Sequence, residues 1–130
     1  MKTELTISPQ RINEIALSEH QAISEKTGAV VTFSGIVRGQ EGESQISALN
    51  YESFDKMVEH QFKLIFSEIS KHWPIESIRL VHRIGIIKVN EVSLWVEIIA
   101  SHRKEAFAAC QYLINEMKNR VPIWKTPIKR

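Results

Sequence analysis

The sequence predicts an α+β fold, with helices packed against a mainly antiparallel sheet. Two observations carry this expectation. Segments rich in β-branched residues come in local pairs, and stretches with apolar residues at helical spacing return between those pairs. The order reads β-α-β-β-α-β-β-α-β, with no internal repeat and no linker, so residues 1–130 form one expected domain.

Each element follows from its local chemistry. Residues 3–7 alternate weakly, as an edge strand would, and Ser8-Pro9 then offers a helix cap followed by proline at the first helical position. The predicted short helix reaches about Leu17, with Ile12, Ile15 and Ala16 on one face. Ala29 to Arg38 is a β-branched strand, and residues 39–44 are a polar, glycine-bearing loop. A second strand covers Ile46 to Ser53. Asp55 is the expected cap of a helix whose Val58, Phe62, Ile65, Phe66 and Ile69 share a single face, ending at Trp73-Pro74. Ser77 to Ile84 is a third strand, broken at Gly85, and Val92 to Ala100 is the fourth and most apolar. Ser101 is the expected cap of the last helix, whose inward face is Ala106, Cys110, Leu113, Ile114 and Met117. Pro122 stops that helix by disfavouring helical geometry at Val121, and Ile123-Trp124-Lys125 is extended.

Composition excludes several classes. With 43% hydrophobic and 25% charged residues the chain is neither disordered nor low in complexity. A lone cysteine, Cys110, excludes an intrachain disulfide and a zinc ribbon. His20, His60 and His72 lack ligand spacing, so no metal site is expected. No apolar run approaches the ~20 residues of a membrane span, and no signal peptide is visible, so a soluble cytoplasmic protein is expected. The net charge of +2 is uneven: residues 101–130 hold seven basic and two acidic residues, a net +5, which leaves −3 for the first hundred. An anionic partner is therefore expected at the last quarter of the chain. Nucleic acid is not the expected partner, because exposed aromatics interleaved with the basic residues are lacking beyond Trp124.

Four places could carry chemistry. Ser101-His102-Arg103 stands where a helix begins, and free N–H groups there attract anions. The alternative is a plain cap with solvated His102 and Arg103. Lys118 and Lys125 bracket the end of that helix, with Arg120 between them. They are either ordinary surface lysines or converging cations, which lower one another's proton affinity and can shuttle protons. Arg38 ends a strand beside a glycine loop, a frequent place for ligand contacts. The neighbouring His82 and Arg83 point to opposite faces of a strand and read as structural.

Five blocks, in order, make the chain resemble the molybdopterin synthase catalytic (large) subunit, the MoaE family. They are Gly28-Ala-Val-Val-Thr-Phe-Ser-Gly-Ile-Val-Arg38, Leu49-Asn-Tyr-Glu-Ser53, Val81-His-Arg-Ile-Gly85, Ala100-Ser-His-Arg103 and Lys118-Asn-Arg-Val-Pro-Ile-Trp-Lys125. The resemblance implies an α/β hammerhead-type fold with an added antiparallel sheet, and a homodimer that binds two small ubiquitin-like sulfur-carrier subunits as a heterotetramer. It implies that the carrier's thiocarboxylated Gly-Gly end enters the pocket. Two dithiolene sulfurs are then installed in cyclic pyranopterin monophosphate, a pterin phosphate, without metal or cofactor. It also implies roles for residues: Ile36, Val37 and Arg38 contact substrate, His102 and Arg103 bind an anion, Lys118 is catalytic, and Lys125 with Thr126 and Pro127 forms a second lysine segment. One departure stands out. Family members usually continue past the second lysine with a further strand, whereas this sequence ends five residues after it, at Arg130. A contact from such a tail is expected to be absent or replaced by Lys129 and Arg130. A noncatalytic anion-binding or scaffold module of the same fold is the alternative, and keeping both Lys118 and Lys125 argues for the enzyme.

Overall fold

The computed structural model describes residues 1–130, apart from the side chain of Asp55. In chain order the elements are β1 (Lys2–Ser8), α1 (Glu14–Ser18), β2 (Ala29–Ile36), β3 (Gln40–Glu41), β4 (Ser44–Ser53), α2 (Asp55–His72), β5 (Ile75–Arg83), β6 (Gly85–Lys88), β7 (Val92–Ala100), α3 (Arg103–Arg120) and β8 (Ile123–Lys129). One sheet runs β1-β5-β7-β2, and its β1–β5 pair is parallel. The second sheet centres on β4, which pairs antiparallel with β3, β6 and β8. The α+β class is as the sequence predicts.

The main core lies between α2, α3 and one face of the first sheet. Val58, Phe62, Ile65 and Ile69 of α2 are fully buried, as their helical spacing requires. They meet Ile78 and Leu80 of β5 and Val96 and Ile98 of β7, all at zero exposure. Ala106 and Ala109 face the same core, and their small side chains let α3 lie close to the sheet. Each large aliphatic or aromatic side chain buried here contributes roughly 1.5–3 kcal/mol. On the opposite face Glu97 is 1% exposed and accepts two hydrogen bonds from Arg79, both 2.8 Å. Arg79 also donates to the Leu17 carbonyl at 2.7 Å and lies 5.0 Å over the Trp95 ring. The polar interruption of the β7 apolar run is thus one half of a buried ion pair that ties α1 to the sheet.

Several expectations are corrected. Ser8 does not cap a helix: the parallel pairing of β1 with β5 runs to Ser8 opposite Arg83 and holds it extended. The first helix starts at Glu14 instead, where Asn13 Oδ1 accepts the Ala16 N–H. Nor does Ser101 cap α3; the helix begins at Arg103 after His102, with no side-chain capping bond. Ser101 is pressed against Gly28, where an added Cβ would lie 2.0 Å from its carbonyl oxygen. The residue preceding α2 is Phe54, so Asp55, expected as the cap, is the first helical residue; its side chain lies outside the described residues. The loop at 39–44 folds into the β3–β4 hairpin, turning at Gly42 with φ 61°. The extended segment expected at Ile123–Lys125 is present but continues to Lys129 as β8, which runs along β4 from Ser53 to Ile46.

The break at Gly85 divides the two sheets. β5 ends at Arg83, Ile84 N–H bonds the Ser8 carbonyl in the first sheet, and Gly85 already pairs with Tyr51 in the second. Gly85 has φ 93°, which L-residues with a Cβ adopt only at a cost. Among the described residues no helix is long and apolar enough to cross a membrane.

Two predictions follow from this framework. Gly85→Ala meets no atom within 4 Å, so its cost is conformational alone. It should lower stability by about 1–2 kcal/mol, read as a shifted denaturant midpoint; an unchanged midpoint would show that the turn is unstrained. The second concerns Glu68 of α2, which receives two bonds from Arg120 of α3, at 2.7 and 2.8 Å, and one from the Tyr112 hydroxyl. These donors, Arg120 first and then Tyr112, hold its pKa down to about 2 from 4.5. Its stabilising contribution is therefore complete above about pH 4.5 and is lost as pH falls toward 2. The Tm gap between wild type and Glu68→Gln should be widest near neutrality and close across that window; a gap constant with pH would contradict the pairing.

Candidate active site

Where the two sheets diverge at Gly85, a cavity of about 790 Å³ opens against the C-terminal end of α3. Its inner wall is formed by Leu94 and Ser93 of β7 and His82 of β5, with Tyr51 of β4 beside them. A register shift between Gly35 and Ile36 leaves Ser93 as the extra residue in the β2–β7 pair. Such a bulge re-aims side chains. Ser93 turns to the cavity, and its hydroxyl donates to the Gly35 carbonyl at 3.3 Å.

Three cations line the same cavity, each from a different element. Arg38 follows the end of β2, Lys118 lies in the last turn of α3, and Lys125 lies in β8 opposite Tyr51. All three side chains are exposed, which places them at the mouth. Lys118 stands where the helix carries its partial negative charge, a favourable place for a cation. The Lys125 ammonium lies 3.3 Å from the Glu41 carboxylate of β3, so the hairpin reaches across to the pocket. Among the described residues Arg38 and Lys118 make no ion pair.

Not every site residue named from the sequence reaches this cavity. Ile36, Arg38, Lys118 and Lys125 do. Val37 is 2% exposed and packs in a small second core with Ile46, Leu49 and Ile87. Thr126 and Pro127 are exposed on β8 outside the cavity wall. His102 and Arg103 lie at the other end of α3, about 22 Å along the helix from Lys118. A single chain therefore holds two separate basic sites.

The wall also contains residues that sequence reasoning passed over. His82 is 4% exposed, and its Nδ1 donates to the Arg83 carbonyl at 2.7 Å. Burial pushes its pKa below the ordinary histidine value, so the imidazole is neutral at physiological pH. The Tyr51 ring meets it edge-on at 5.3 Å. One sequence signal pointed to His82: it shares the strand face of Ile78 and Leu80, three residues before the break at Gly85. Among the described residues no group of three His, Cys, Asp or Glu side chains is placed to hold a metal ion.

A cationic mouth over a wall that includes Leu94, Ser93 and His82 is a cavity of small-molecule size suited to an anionic ligand. The chain belongs to the MoaE protein family, whose model matches residues 5–120. It is 35% identical over 128 residues to the molybdopterin synthase catalytic subunit of Thermoplasma volcanium, covering 98% of this chain and 93% of that one. Its fold is similar to the crystal structure of molybdopterin synthase from Staphylococcus aureus, with a TM-score of 0.85, 34% identity, and 98% and 90% of the two chains covered. At 19% identity and a TM-score of 0.76, the fold also matches a chain in a Helicobacter pylori complex of subunits 1 and 2 of molybdopterin-converting factor, over 98% and 88% of the chains.

Proposed function

We propose that this protein is the catalytic subunit of a molybdopterin synthase. In that reading it moves sulfur from the thiocarboxylated end of a small carrier subunit to cyclic pyranopterin monophosphate. The observation that carries the reading is the convergence of Arg38, Lys118 and Lys125 on one cavity. A phosphate and a thiocarboxylate are both anions, and a shared pocket must supply several fixed cations to hold them together. An extended Gly-Gly tail has no side chains to exclude it from a narrow entrance. Once the tail is inside, its sulfur forms a new C–S bond to the pterin side chain, the C–O bond at that carbon breaks, and Lys118 gives a proton to the departing oxygen; water then hydrolyses the resulting thioester, leaving the sulfur on the pterin and a carboxylate on the carrier. Lys125 and Arg38 hold the negative charges in register.

The site extends to a homodimer in this reading. β2 is the edge strand of the first sheet and exposes Val30 and Ile36, while Phe107 of α3 stands exposed nearby. An unpaired apolar edge of this kind is suited to a second copy. A dimer is also the arrangement in which His102 and Arg103 can serve a pocket, since their own chain keeps them at the far end of α3. With one carrier on each copy the assembly is a heterotetramer.

Lys118→Ala should lower product formation by about 10²–10⁴-fold with Tm unchanged, in an assay with pterin phosphate and thiocarboxylated carrier. Turnover above about a tenth of wild type would remove its assigned role and favour the noncatalytic module. A carrier lacking its last two glycines should still bind through its globular surface but yield no product, and binding of the intact carrier should weaken as salt rises. Calorimetry at two salt concentrations beside the sulfur-transfer assay tests both points; product from the truncated carrier would exclude tail insertion.

A further inference from the structure

The cavity sets cationic and neutral polar side chains at different depths. At the mouth stand Arg38, Lys118 and Lys125, which can only donate. At the inner wall stand two buried groups whose protons are already committed. His82 Nδ1–H is held by the Arg83 carbonyl at 2.7 Å, which leaves Nε2 with an unshared pair. The Ser93 hydroxyl proton is directed to the Gly35 carbonyl at 3.3 Å, which leaves its oxygen free to accept.

His82 Nε2 has no hydrogen-bond partner among the described residues. It is also not among the sealed side-chain atoms lacking one, which are Glu76 Oε2 and Glu105 Oε2. A residue 4% exposed, whose free nitrogen is neither bonded nor sealed, presents that nitrogen to the cavity it lines. The neutral state imposed by burial keeps Nε2 an acceptor. Tyr51 packs its ring edge at 5.3 Å and fixes the imidazole plane.

We infer that His82 Nε2, assisted by Ser93 Oγ, is a specificity-determining acceptor that reads an N–H edge on the uncharged heterocycle of the substrate. The cations at the mouth hold the anion at its other end. The inference rests on the pterin-phosphate reading above and adds to it a polarity: cations at the mouth, the His82 and Ser93 acceptors inside. A ligand with the same phosphate but no N–H edge would leave Nε2 unpaired in a buried wall, an arrangement that costs binding. His82 has no part in the proton transfers here; its work is orientation and choice of substrate.

The test exploits the two ends of the imidazole. Asparagine at 82 can keep the Nδ1-type bond to the Arg83 carbonyl but has nothing at the Nε2 position. Glutamine carries an amide oxygen near that position. Calorimetry of the full chain with cyclic pyranopterin monophosphate, and separately with inorganic phosphate, is run on wild type, His82→Asn, His82→Gln and Ser93→Ala. Expected are a loss of about 5- to 150-fold in pterin-phosphate affinity for His82→Asn, about the low end of that range for Ser93→Ala, and retention within about threefold for His82→Gln. Inorganic phosphate should bind all four proteins alike. Equal pterin-phosphate affinity in His82→Asn and wild type overturns the inference, as does an equal loss in the Asn and Gln variants or a parallel loss of inorganic phosphate. If His82→Asn fails to fold, an undiminished Ser93→Ala overturns it in the same way. Absence of pterin-phosphate binding by wild type would instead sink the functional reading itself, so the two failures are distinguishable.

Discussion

Everything around the cavity depends on how the chain leaves one sheet and enters another at Ile84 and Gly85. Ile84 still bonds β1 through the Ser8 carbonyl, while Gly85 already pairs with Tyr51 of β4. That exchange within two residues needs a backbone angle of φ 93°, which glycine adopts without steric penalty. The two sheets therefore diverge at a fixed point, and the gap between them is the cavity. Tyr51, the β4 partner of Gly85, is also the partner of Lys125 on the other side. The turn thus sets the position of the second lysine through a single intervening strand.

Charge is handled in opposite ways on the two sides of the first sheet. On the α1 side Glu97 and Arg79 are matched in a bidentate pair, and a further Arg79 N–H donates to the Leu17 carbonyl. Such a pair is neutral in sum and serves to fasten one segment to another; breaking it would leave a buried charge. On the cavity side the cations are exposed and Arg38 and Lys118 lack partners among the described residues, so their field is available to a ligand. Lys125 stands between these cases, because Glu41 meets it at 3.3 Å from the short β3 strand. An entering anion competes with Glu41 for the same ammonium.

How much of this was legible in the sequence depended on the range of the interaction concerned. The helical faces of residues 58–69 and 106–117, the apolar strand at 92–100 and the stop at Pro122 are consequences of neighbours within a few residues, and they appear in the structure with small changes at their ends. Parallel pairing of β1 with β5 was not legible, because it joins segments more than seventy residues apart. That pairing is what turned Ser8 from a helix cap into a strand end. β8 was legible only at its start: Ile123-Trp124-Lys125 reads as extended, but alternation is interrupted by Pro127, and pairing with β4 is what carries the strand on to Lys129.

For the site, the sequence by itself determined the chemical inventory: which residues are cationic, that Lys118 closes a helix, that Arg38 follows a strand, and the family signature. Residue type and short-range spacing suffice for those. The tertiary structure alone decided which of them share a cavity. It joined Arg38, Lys118 and Lys125, sent Val37 into a core, and left His102 and Arg103 about 22 Å away along α3. It also brought in His82, which looked structural because a strand histidine shows its burial and its free nitrogen only when the opposing wall is in place. Proximity between distant segments is created by folding, and a linear order of residues does not contain the distances that chemistry requires.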